Sequence, residues 1–198
     1  PESVMLGQSS DASVTFSLVG AGHLNLSEDD LLISSSSGTI ENVTYMGEGQ
    51  FVARFTPPSV KYPHLALITV ALKSNPDVTY GHAVIPMVGK VPYPVTAPPN
   101  STVMLTVDGR RFGPIKASGT GKVSVPIEVA PGQDRATKTI VADGKKLEES
   151  VDLRIPETRR IALFPAAAGV GADGTSRVGL RTLVVQKNGD PDEQANLQ

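Results

Sequence analysis

The sequence predicts an all-β chain of tandem β-sandwiches, ending in an incomplete β segment. Three observations predict it. Strand-like runs recur at a spacing of about 8 to 12 residues with turn residues between them, the rhythm expected of sandwiches. The 198 residues include 19 glycines and 16 prolines against an apolar content of 39%, a balance that suits short strands joined by tight turns. Finally, from Leu31 to Leu72 single glycines and a double proline punctuate consecutive apolar runs.

Ser13 to Val19 alternates polar and apolar residues, with Val14, Phe16 and Leu18 on one face, and predicts a half-buried strand. Ser27-Glu28-Asp29-Asp30 has the form of a helix capping box. Four serines and a glycine follow closely, so it predicts a turn or a single helical turn. Leu31 to Ile33 leads into Ser34 to Ser37 and Gly38, and Ile40, Val43 and Tyr45 follow. Gly47 and Gly49 flank Glu48 as a turn before the alternating Phe51, Ala53 and Phe55. Pro57-Pro58 stops that strand. Leu65 to Leu72 and Val78 to Val88 complete the first domain, placed at residues 1–89.

From Gly89 to Asn100 the prolines Pro92, Pro94, Pro98 and Pro99 crowd together. Proline donates nothing to a sheet ladder, so this stretch predicts a semi-rigid interdomain linker or an edge strand opening the second domain. Thr102 to Val107 and the run toward Ile115 flank Asp108-Gly109, a strong hairpin signal. Lys122 to Val129, Thr137 to Ala142 and Glu149 to Ile155 follow, with Pro131-Gly132 and Asp143-Gly144 as turns. These predict a second, smaller sandwich at residues 90–157. Within residues 158–198, Arg160 to Phe164 and Ser176 to Gln186 read as two strands, too few to bury a core alone. They open a third module, add to the second domain, or are donated to another chain.

Ser34 to Leu72 resembles the bacterial immunoglobulin-like repeats of invasin and intimin type, through the serine-rich strand end at Gly38, the turn at Gly47 and Gly49, Phe51 and Phe55, and the ending Ile68-Thr69-Val70. Ala172-Asp173-Gly174-Thr175-Ser176, with Val178, Leu180, Leu183, Val184 and Lys187-Asn188-Gly189-Asp190-Pro191, resembles the opening of another repeat. Residues 90–157 depart from the pattern, as a different sandwich subtype would. The resemblance implies tandem immunoglobulin-like sandwiches in a stalk or spacer of a surface protein. It implies no catalytic residues.

Composition narrows the function further. A formal charge of −2, from 18 basic and 20 acidic residues, gives no pull toward nucleic acid or an anionic membrane. No cysteine is present, which excludes disulfides, thiolate metal sites and cysteine nucleophiles and is compatible with bacterial export. Apolar runs fall short of the ~18 residues of a spanning helix. The sequence starts at Pro1 with neither initiator Met nor signal peptide, which predicts a mature product or an excised fragment. With 5% aromatic residues and no Trp, sugar-stacking platforms are scarce. Tyr62 with Phe51 or Tyr93 would be the aromatic cluster of a ligand-binding module.

Few residues suggest chemistry. His23, His64 and His82 lack ligand spacing, and no serine sits on a nucleophile elbow. The glycine-rich stretch at 169–174 lacks the lysine of a phosphate loop. Asp29, Asp30, Asp190 and Asp192 are the carboxylates available to calcium, without the alternating spacing of a dedicated loop. Arg159 and Arg160 are the basic pair best suited to a carboxylate or acidic polysaccharide, and Arg110-Arg111 is another. The expectation is a non-enzymatic spacer of a bacterial surface or secreted protein, extracellular or periplasmic, whose partners are other modules of its chain or neighbouring subunits. The alternatives are an adhesin binding a surface glycan or protein, an accessory domain of a larger extracellular enzyme, and a filament subunit assembling by strand addition.

Overall fold

The computed structural model describes residues 3–8, 11–18, 25–76, 80–156, 160–165, 174–175, 177 and 180–195. The chain is all-β. In chain order the strands are β1 (Val4–Met5), β2 (Ala12–Ser17), β3 (Leu31–Ser35), β4 (Thr39–Gly47), β5 (Gln50–Thr56), β6 (His64–Leu72), β7 (Tyr80–Thr96), β8 (Thr102–Val107), β9 (Arg110–Lys116), β10 (Lys122–Val129), β11 (Arg135–Ala142), β12 (Lys145–Asp152), β13 (Arg160–Pro165) and β14 (Leu180–Val185).

In the first sandwich a sheet of order β1-β7-β6-β3 faces a sheet of order β2-β5-β4. The alternation read in β5 delivers Phe51 and Phe55 fully into the core, with Val14, Ile68, Val70, Ile85 and Met87 around them. Phe16 stacks on Phe51 at a centroid separation of 5.4 Å and Tyr45 tilts against it at 5.1 Å, the offset geometry that aromatic quadrupoles favour. The Ser27 to Asp30 segment is one 3-10 turn, Glu28–Asp30. The Asp30 carboxylate accepts from both the Ser27 N–H and hydroxyl at 2.8 Å.

In the second sandwich a sheet of order β12-β11-β8-β9 lies over the pair formed by β10 and the second half of β7. Val95, Val103, Leu105, Val107, Val125, Ile127, Val129 and Ile140 form its core. Both Asp-Gly turns are as expected: Asp108 and Asp143 have φ of 47° and 51°, and their glycines 75° and 73°, the paired left-handed conformation of a two-residue hairpin loop. β12 starts directly after its turn, at Lys145 rather than Glu149. Its sequence KKLEESVD carries no apolar alternation, because this edge strand is exposed along nearly its whole length.

Of the two readings of the proline-rich stretch, a linker or an edge strand opening the second domain, Gly89 to Thr96 takes the strand. β7 runs unbroken for 17 residues, pairing with β6 from Tyr80 to Met87 and with β10 from Gly89 to Thr96. Pro92 lies opposite Pro126, a pairing the ladder tolerates where both nitrogens face outward. Pro98 and Pro99 form the turn into β8, where Pro98 O accepts from the Ser101 N–H at 3.1 Å and hydroxyl at 2.7 Å.

The described residues of segment 158–198 add no strand to the second sandwich. Its described strands, β13 and β14, pair antiparallel with each other from Arg160↔Val185 to Pro165↔Leu180. This hairpin packs on Leu65 and Leu67 on the outer side of β6, a strand whose nine residues HLALITVAL are all buried.

Candidate functional site

The joint between the sandwiches gathers the most specific geometry in the molecule. At Gly89, β7 exchanges β6 for β10. A Cβ on Gly89 would lie 2.6 Å from the Lys61 carbonyl oxygen and 2.9 Å from Pro63. The Lys61–Pro63 segment therefore crosses the strand so closely that no side chain fits between them.

The C-terminal hairpin closes the joint from the other side. Ala162, Leu183 and Val185 pack on Leu65, Leu67 and Val84. Leu67 meets Ser36 on the β3 edge of β6, accepting from its N–H and donating to its hydroxyl, both at 2.9 Å. Two residues earlier, Leu65 presents its carbonyl beyond the end of β3, and there Arg160 Nε donates to it at 3.1 Å. The guanidinium supplies the donor that the sheet no longer provides.

Beyond β14, Lys187 Nζ meets Asp134 Oδ2 of the second sandwich at 2.6 Å. Lys187, by donating and by its charge, holds the Asp134 carboxyl below its ordinary value. The Asn188-Gly189 turn sits between the two sandwiches. A Cβ built on Gly132 would be 3.3 Å from Asn188 Cβ, and one on Gly189 would be 3.3 Å from Val84 Cγ1. A crevice of about 250 Å³ remains, lined among others by Pro63, Gly132, Asp152, Arg154 and Lys187. Arg154 occupies the left-handed region, φ 54°, and its N–H donates to Asp152 Oδ1 at 2.7 Å.

His64 lies at the start of β6 with 1% of its surface exposed. Its Nε2 is 2.9 Å from Ser37 Oγ, and its Nδ1 is 2.9 Å from the Tyr62 carbonyl oxygen. Burial pushes the imidazole below its ordinary value; the hydrogen bond to Tyr62 opposes this and the charge of Arg160 adds to it. A neutral ring that donates to Tyr62 and accepts from Ser37 satisfies both partners.

Of the residues singled out in the sequence, Arg160 belongs to the joint as a clamp on backbone, and Arg159 lies outside the described residues. Arg110 pairs with Glu128 at 2.7 Å and covers Phe112. Asp29 and Asp30 are held in the 3-10 turn, where the Asp29 carbonyl accepts from Lys73. Asp190 accepts from the Asn188 amide at 2.7 Å and Asp192 from the Gln194 N–H at 3.3 Å. These carboxylates serve their own turns, and among the described residues no three His, Cys, Asp or Glu converge as a metal group. Tyr62, Phe51 and Tyr93 form no cluster: Phe51 is in the first core, Tyr93 packs on the second and donates to Asp152 O at 3.0 Å, and Tyr62 lies against His64. His23 and residues 169–173 lie outside the described residues.

Sequence reasoning missed Gly89, Lys187 and the outer side of β6. For β6 a signal was present: a continuous apolar run, where a one-sided strand would alternate, marks burial on both faces. Compared with family models, curated proteins and solved structures, the chain matches none.

Proposed function

We propose that this chain is a non-enzymatic spacer from a bacterial surface or secreted protein, built of immunoglobulin-like modules that position or assemble what lies beyond them. The observation that carries the reading is the joint: one strand shared by two sandwiches and a hairpin tied to both, an arrangement that fixes direction from one module to the next. The strand order supports the immunoglobulin-like part. A β2-β5-β4 sheet facing β7-β6-β3, with the first strand running parallel beside the last, divides seven strands as an immunoglobulin sandwich does. The second sandwich has a different order, in keeping with its departure from the repeat pattern.

On this reading β13 and β14 open a third module. Ile161, Leu163 and Leu180 on the outer face of the hairpin are 50–60% exposed, and the remaining strands of that module would cover them. Small-angle scattering with light scattering on the full chain tests the proposal: an elongated monomer is expected, and a compact globular oligomer would sink it.

A further inference from the structure

We propose that the C-terminal hairpin is a mechanical latch that keeps the second sandwich out of the line of tension until the hairpin undocks; this rests on the spacer reading. The argument is topological. The chain builds the first sandwich, passes through β7 into the second, and then returns: β13 and β14 dock on β6 and β7 through Ala162, Leu183 and Val185, with Arg160 on the Leu65 carbonyl. A pull between the N-terminal side of the first sandwich and the C-terminal side of β14 therefore runs across this docking contact. Residues 97–156 form a closed side loop that meets this path only where Lys187 pairs with Asp134 and Asn188 lies against Gly132.

The docking contact is the weak link. Among the described residues its apolar cluster is much smaller than either sandwich core. The Lys187–Asp134 pair that reinforces it is solvent-exposed, at 41% and 54% for the two side chains, and exposed pairs hold little. Under load the hairpin yields first. The second sandwich then swings into line still folded, and the molecule lengthens with both cores intact. Strand β7, common to both sandwiches, takes over the load, because pulling the sandwiches apart must shear or peel a ladder that runs through both.

Single-molecule force spectroscopy on the full chain, with handles at Ser3 and Ala195, tests this. The expected trace opens with a step on the order of 100 Å, from the undocked hairpin, too small to stand alone, coming apart at about 3.5 Å per residue, at a force below both unfolding events. Unfolding of residues 97–156 would instead release on the order of 200 Å at about 3.5 Å per residue. Leu183→Asp touches neither sandwich core and should abolish the first step while leaving the large steps at unchanged force. Lys187→Ala should keep the step and lower its force. A wild-type trace without the small step, or a step that survives Leu183→Asp, overturns the latch. Scattering separates the two ideas: an elongated monomer lacking the step removes the latch alone, and a compact oligomer removes the spacer reading even with the step present.

Discussion

Gly89 and His64 show how single residues set the joint. An added methyl at Gly89 would be driven into the Lys61 carbonyl, so Gly89→Ala is expected to cost about 1–3 kcal/mol, the usual penalty of overpacking, read as a lower urea midpoint. Gly81→Ala in the same strand meets nothing within 4 Å and should leave the midpoint unchanged or slightly raised. His64 makes stability depend on pH in a definite direction. Its folded-state affinity for a proton lies below the ordinary histidine value of 6.5, so the unfolded chain binds protons first as pH falls. The stabilisation it gives is complete above that value and is lost progressively below it. Denaturation midpoints measured between pH 8 and 5 should fall in the wild type, and the fall should be shallower in His64→Gln.

Among the elements, local chemistry was the most legible. Asp108-Gly109 and Asp143-Gly144 announced their hairpins because the left-handed conformation is a property of two residues, and Phe51, Ala53 and Phe55 announced β5 because one face meets one core. β12 was misplaced since an exposed edge strand leaves no apolar pattern to read. β1 went unread because two residues are too short for a period. β6 makes the sharpest prediction. Simple alternation would leave either Leu65 and Leu67 or Ala66 and Ile68 in water, yet both sets are buried. Leu67→Ala should therefore cost about 2–5 kcal/mol, as for a core leucine, while Leu147→Ala at 58% exposure should change the urea midpoint hardly at all.

For the whole molecule, the sequence was readable up to its all-β class and not at the connection between its two cores. Dense proline reads equally as a linker or an edge strand, since a proline whose nitrogen points off the sheet edge costs the ladder nothing, and sequence alone does not reveal which way that nitrogen points. The same fact reverses the expected effect of the prolines on shape. Pro92→Gly with Pro94→Gly should leave the scattering envelope unchanged, because pairing with β10 holds this stretch straight; a broadened envelope would restore the linker. Docking of the hairpin was equally hidden, since Lys187 and Asp134 are 53 residues apart in the chain and nothing local couples them. The shared strand also determines where this protein can be divided. A cut near residue 90 would look like a clean domain boundary on the sequence, but it would strip β10 of its partner along eight residues and leave Val125, Ile127 and Val129 at an open edge. The smallest piece that can be excised, shuffled or expressed as an independent unit is therefore the pair of sandwiches together.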